Sequence, residues 1–266
     1  MSNRSYLFVP GNRPERFDKA IASGADVVIL DLEDAVAPAD KDAARAAVAS
    51  WLNAVKPVYL RVNAADSNWF ESDMQILGSP GIAGIMLPKA ENAEAITALH
   101  RRAGASVKIV PLIETALGLW RAEAVASAPG VTRLAFGSVD FQLDTGISGD
   151  DSELLFARSQ LVLVSRVVGI LPPVDGVTVA LDDETVLRED VAKASRLGFG
   201  GKLAIHPKQV RAINEGFLPQ AAEIAWARQV VAAADASGNN AVRLEGKLID
   251  LPIIARARAL LAAVPA

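Results

Sequence analysis

The chain has 266 residues, 51% of them hydrophobic and only 5% aromatic, enough for one large α/β barrel or two small domains with an aliphatic core. A net charge of -4 gives no bulk attraction to nucleic acid or to an anionic membrane, so any anionic ligand must be held by local Arg and Lys. The absence of cysteine excludes disulfides, thiolate zinc sites and a cysteine nucleophile. No apolar run approaches the roughly 20 residues needed to span a bilayer, and a cytoplasmic enzyme is the expectation.

In chain order, a short apolar run at 6–10 leads into a helix candidate at 14–22 that stops at Gly24. A second run at 26–32 precedes a helix at 41–51, and further runs follow at 57–62 and 84–88. A helix at 93–103 ends before Gly104, and runs at 107–113, 133–137 and 174–179 come next. The last helix of this series, 183–197 before Gly198, is followed by a run at 201–205. Stretches such as Val27-Val28-Ile29-Leu30 and Ile109-Val110-Pro111-Leu112-Ile113 are continuously apolar, the pattern of parallel strands covered on both faces. Eight such repeats predict a (β/α)8 TIM barrel, with a doubly wound sheet as the alternative.

The barrel is expected over 1–234, ending with a helix from 221, and a C-terminal segment over 235–266 is expected as a lid or swapped arm. That segment opens on the turn-rich 235–240, continues with a strand-like piece at 242–248 and closes with a helix at 252–262. A capping helix on the barrel bottom is the simpler alternative for it.

Residues at the C-terminal ends of barrel strands share one mouth. Here they include Arg13, Asp31, Glu33, Asp34, Arg61, Lys89, Glu114, Asp140, Asp175 and His206. Acidic clusters from four strands would repel one another unless a divalent cation or nearby Arg offset them, so a hard cation is implied. Glu114 and Asp140, at the ends of adjacent strands, are placed to share a Mg²⁺ that keeps several waters. Arg61 either points into the mouth or pairs with Glu33 or Asp34. Asp40 and Asp183 read as helix N-caps, His206 as a structural histidine, His100 as a surface residue, and Lys89 as a salt-bridge partner rather than a Schiff-base lysine.

In order along the chain, the segments Phe8-Val9-Pro10-Gly11-Asn12-Arg13, Leu30-Asp31-Leu32-Glu33-Asp34-Ala35, Leu60-Arg61-Val62-Asn63 and Met86-Leu87-Pro88-Lys89 form a set. It continues with Leu112-Ile113-Glu114-Thr115, Gly137-Ser138-Val139-Asp140, Ala204-Ile205-His206-Pro207 and Lys247-Leu248-Ile249-Asp250-Leu251-Pro252. The ordered set resembles the citrate lyase beta-subunit-like group of the HpcH/HpaI aldolase family. The resemblance implies a TIM barrel, commonly a homotrimer, with Mg²⁺ held by Glu114 and Asp140. It implies that Arg61 and Glu114 hold a 2-keto acid, with Glu33 and Asp34 nearby and Asp34 supporting waters on the metal. For a CoA thioester it points to Phe8, Lys19, Ile205 and His206, with Arg13 and Arg16 as phosphate partners.

The implied activity is reversible carbon-carbon cleavage of a 3-hydroxyacyl-CoA thioester into an acyl-CoA and a 2-keto acid. Asp250 matches an acid/base carboxylate, although its position before Pro252 equally suits a helix cap. Three alternatives share the site: a malate synthase or malyl-CoA thioesterase type of hydrolysis, a CoA-independent keto-acid aldolase, and a subunit of a citrate lyase complex that takes its thioester from an acyl-carrier protein. The residues after Asp140 and around Asp175 depart from the family pattern and leave the substrate open.

Overall fold

The short apolar runs form eight parallel strands that close on themselves. The computed structural model describes residues 3–238, 241–244 and 246–264. Its first four strands are β1 (Ser5–Pro10), β2 (Val27–Asp31), β3 (Val58–Arg61) and β4 (Ile82–Leu87). The others are β5 (Lys108–Ile113), β6 (Ala135–Phe136), β7 (Val174–Asp175) and β8 (Gly201–Ala204). Pairing of Tyr6 with Leu203 and Leu7 with Ala204 joins β1 to β8, leaving no free edge and excluding the doubly wound sheet. β6 and β7 are shorter than the sequence runs because apolar residues beyond them, such as Val177, pack on the barrel interior without pairing.

The helices have local causes. Asn92 accepts hydrogen bonds from Glu94 N and Ala95 N to start the helix Ala93–Ala103, and Gly104, with φ of 90°, ends it. Asp183 caps the helix Glu184–Leu197 in the same way, and Leu187, Val191 and Ala194 turn one stripe of it inward. Asp40 does not cap the helix Lys41–Trp51: its own backbone is already helical (φ -99°, ψ -5°) and its carboxylate makes no capping bond. That expectation is corrected. The helix Leu155–Val168 escapes a periodicity reading because its polar and apolar residues do not segregate: Arg158 and Ser165 are buried with Leu161, while Phe156, Leu163 and Val167 are exposed.

Inside the barrel, Tyr6, Ile29, Tyr59, Met86, Leu112 and Leu203 form part of one buried cluster. The rings of Tyr6 and Tyr59 meet edge to face at 6.1 Å. Arg133 lies under them, donating to the Tyr6 hydroxyl (3.2 Å) and to the carbonyls of Asn3 and Pro172 (both 2.6 Å). Gly84 makes room for the Tyr59 ring, whose carbons would overlap a Cβ at that position.

The described residues from Glu215 onward group into a second compact unit that includes the helix Ala221–Ala236. The cause is packing: Ala227, Val230 and Ala234 of the helix Ala221–Ala236 form one core with Ile249, Ile254 and Ala257. The 235–240 turn read from the sequence begins inside that helix, and Asn239 and Asn240 lie outside the described residues. β9 (Val242–Leu244) and β10 (Lys247–Ile249) pair antiparallel, and the final helix is Leu251–Ala262. Asp250 caps it, Oδ1 accepting from Ile253 N at 3.4 Å.

Replacing Gly84 by Ala should cost about 1–3 kcal/mol, because a ring wedged in the barrel cannot move aside cheaply. Thermal unfolding checks this, and an unchanged melting temperature would show that Tyr59 is free to move.

Candidate active site

β2 and β3 run in register so that Asp31 stands beside Arg61, each the last residue of its strand. The guanidinium is gripped side-on: Nε donates to Asp31 Oδ1 at 2.7 Å and Nη2 to Oδ2 at 2.6 Å. Nη1 lies 3.0 Å from Glu33 Oε2 and 3.8 Å from Asp34 Oδ2, and the Phe8 ring stacks 4.7 Å from the guanidinium carbon. Burial alone would lower the Arg61 pKa, but the charge and hydrogen bonds of Asp31 raise it above the ordinary value. The sequence leaves Arg61 facing the mouth or pairing with Glu33 or Asp34; its main partner is Asp31, expected at the mouth but not as the partner of Arg61. The signal was available in the register, since acid and base end adjacent parallel strands.

Glu114 directly follows β5 and is 2% exposed. Its Oε1 accepts from Lys89 N at 2.8 Å, and Lys89 is the one described non-glycine residue with positive φ (47°). Burial pushes the Glu114 carboxyl up to about 8, against the Lys89 hydrogen bond that lowers it, with the charges of Glu33 and Asp140 adding to the rise. Asp140 sits in the first turn of the helix Ser138–Thr145, and burial followed by the charge of Asp34 raises its pKa. Glu33 is pushed up to about 7 by burial, partly offset by Arg61. Gly137, between the two strand ends, must lack a side chain: a Cβ there would lie 2.5 Å from both Cβ and Oε2 of Glu114.

The mouth's charges sort themselves by partner. Asp31 and Glu33 face Arg61. Asp175, also buried, pairs with Arg158 at 2.9 Å and lies 3.5 Å from Lys202 Nζ. Glu114 and Asp140 have no ion-pair partner among the described residues, although both line one cavity of about 210 Å³ with Arg61. Two hard oxygen donors without a protein cation fit Mg²⁺, which commonly takes one or two carboxylates and fills its remaining positions with water or substrate. No cluster of three or more His, Asp or Glu side chains placed to hold a metal occurs among the described residues.

The same cavity gathers Phe8, Asp34 and Ile205. Glu33 instead lines a neighbouring cavity of about 280 Å³ with Lys41 and Trp69. Arg13 and Arg16 are exposed and lie 2.7 and 3.8 Å from Glu15, and Lys19 is exposed on the following helix. His206 Nδ1 accepts from Lys208 N at 3.1 Å. Two expectations are corrected. Lys89 forms no salt bridge among the described residues; its side chain is exposed, and its backbone does the work by holding Glu114. His100 is half-buried against Gly130 rather than on the surface.

Gly137→Ala should displace Glu114 and, measured with chelator present, lower stability by about 1–3 kcal/mol. A melting temperature equal to that of the parent would mean that the Glu114 side chain is not confined.

Residues 4–207 match the HpcH/HpaI aldolase/citrate lyase family model. A citrate lyase subunit beta-like protein of Deinococcus radiodurans is 36% identical over 97% of this chain and 96% of its own length. An L-malyl-CoA/beta-methylmalyl-CoA lyase of Cereibacter sphaeroides is 34% identical, covering 96% of this chain and 92% of its own. The solved structure of CitE from Mycobacterium tuberculosis in complex with magnesium, acetoacetate and coenzyme A superposes with a TM-score of 0.89 at 33% identity, covering 98% of each chain. An eight-stranded barrel with two unpaired carboxylates at its mouth is therefore accompanied by sequence agreement over nearly its whole length, and the chain belongs to the HpcH/HpaI aldolase/citrate lyase family.

Proposed function

We propose that the protein is a Mg²⁺-dependent carbon-carbon lyase that reversibly cleaves a 3-hydroxyacyl-CoA thioester, such as malyl-CoA or citryl-CoA, into an acyl-CoA and a 2-keto acid. The observation that carries this reading is the cavity in which Glu114 and Asp140, unpaired, face the same space as Arg61. The relatives named as malyl-CoA lyases and the CitE structure with magnesium and coenzyme A support the substrate class. A volume of about 210 Å³ suits a small keto acid and the reacting end of a thioester, well below what a whole CoA would need.

Bound at Glu114 and Asp140, Mg²⁺ supplies Lewis-acid polarisation of the keto oxygen. Arg61 binds the keto-acid carboxylate with a planar two-point contact that Lys cannot reproduce. Asp34 stands 3.8 Å from Arg61 and orients water beside the carboxylate pair. In the cleavage direction a base takes the hydroxyl proton, the bond between the α- and β-carbons breaks, and the electron pair passes to the thioester α-carbon, which is protonated. Asp250 is the proposed acid/base group for that proton, in addition to its capping bond. Phe8 on β1 and Ile205 after β8 border the cavity from adjacent strands, and with Arg13, Arg16, Lys19 and His206 on the same two connections they are the proposed CoA contacts.

The reading includes a homotrimer. Support for self-association comes from an apolar face on the barrel unit: Phe156, Leu163 and Val167, at helical spacing, are 73%, 65% and 75% exposed, and Trp120 is 86% exposed.

Purified protein with Mg²⁺ and malyl-CoA, citryl-CoA or β-methylmalyl-CoA should release keto acid in step with acyl-CoA and without free thiol. Free thiol released without keto acid would point instead to the hydrolysing alternative. In the same assay Asp250→Asn should lose about 1 kcal/mol of stability at most, yet abolish both turnover and exchange of the acyl-CoA α-proton. Retained exchange would remove Asp250 from the chemistry.

A further inference from the structure

The bound anion in this reading needs more than the presence of Arg61; it needs the guanidinium to present one edge reproducibly. A free Arg side chain has about 2 kcal/mol of rotamer entropy to lose on fixing, and an unfixed one would surrender that from its affinity for substrate. Arg61 is already fixed. Its Nε–Nη2 edge is filled by both oxygens of Asp31, at 2.7 and 2.6 Å. Asp31 is in turn immobile: it is fully buried, its Oδ1 accepts from Glu33 N at 2.9 Å and its Oδ2 from Ala35 N at 3.3 Å. The Phe8 ring closes one face of the guanidinium.

A guanidinium held by Nε and Nη2 keeps its other fork, the outer hydrogens of Nη1 and Nη2, for a second carboxylate. Asp31 and Arg61 both line the 210 Å³ cavity. Glu33, whose Oε2 lies 3.0 Å from Nη1, makes no aligned hydrogen bond through that oxygen and lines the other cavity. The two acids therefore differ in kind: Asp31 grips, while Glu33 balances charge and leaves the fork open.

We propose that Asp31 is the positioning residue of the keto-acid subsite, locking Arg61 side-on so that its end-on fork meets the substrate carboxylate. Asp31 touches Arg61 and not the reacting atoms, so its loss acts on keto-acid binding and leaves the acyl-CoA end of the site alone. The proposal rests on the reading of Arg61 as the keto-acid contact, and it extends that reading to a residue whose chemistry is structural in origin and functional in effect.

Steady-state kinetics in the condensation direction separate the two ideas. Asp31→Asn keeps the shape but turns a two-oxygen acceptor into one acceptor and one donor facing an Arg N–H. It should raise the KM for the keto acid by roughly tenfold to a hundredfold, the scale of one charge-assisted hydrogen bond, with the KM for acyl-CoA unchanged. Asp31→Glu, which retains charge and displaces the fork by one methylene, should also raise it and guards against a failure of Asp31→Asn to fold. Chemical rescue gives a readout that a merely structural role would not move: millimolar guanidinium added to Arg61→Gly should restore part of the activity when Asp31 is present, and none in the Asp31→Asn/Arg61→Gly double variant. A raised keto-acid KM in Arg61→Gly with a parental KM in both Asp31 variants, or equal rescue in single and double variants, overturns the positioning role. A parental keto-acid KM in Arg61→Gly overturns the assignment of Arg61 itself, and the positioning role with it.

Discussion

Burying several carboxylates at the ends of neighbouring strands is unfavourable unless each charge is offset, and the way this barrel offsets them decides what its mouth can do. Asp31 and Glu33 are answered by Arg61, and Asp175 by Arg158 and Lys202. Each of those groups is fixed by a protein partner. Glu114 and Asp140 form no ion pair among the described residues, although Lys89 N donates to Glu114, and burial pushes the Glu114 carboxyl up to about 8. Two hard oxygen donors of that kind are what a divalent cation from solution would complete.

The supporting structure serves this imbalance. Gly137 clears the space into which Glu114 extends, and Lys89 adopts a left-handed backbone so that its N–H meets Glu114 Oε1. A non-glycine residue held at φ of 47° is costly by itself, and here it fixes the carboxylate that has no cation to hold it. Below the mouth, the packed rings of Tyr6 and Tyr59 and the buried Arg133 fill the barrel, so the strand ends are carried on a rigid base.

What could be read from the sequence divides along physical lines. Continuous apolar runs such as Val27 to Leu30 need cover on both faces, so the parallel barrel was legible, and so were Arg61, Glu114 and Asp140 as polar residues at strand ends. The Arg61–Asp31 pair is not legible in one segment alone, because a pairing between adjacent strands depends on register, and register is a property of two segments together. At Lys89 the sequence displays a charged side chain, while it is the backbone N–H that holds Glu114. The alanine-rich helix from Ala221 shows no strong apolar stripe in the sequence; its contact with Ile249, Ile254 and Ala257 reveals which core it serves.

The central claim is that Glu114 and Asp140 form the cation site, and calorimetric titration of metal-free protein with Mg²⁺ tests it most directly. The account predicts a single site in the parent, affinity lowered by roughly tenfold or more in Glu114→Gln and in Asp140→Asn, and no measurable binding when both are replaced, with the fold retained by circular dichroism. Parental Mg²⁺ affinity in both single variants and in the double variant would contradict it, and would move the cation to another group at the mouth.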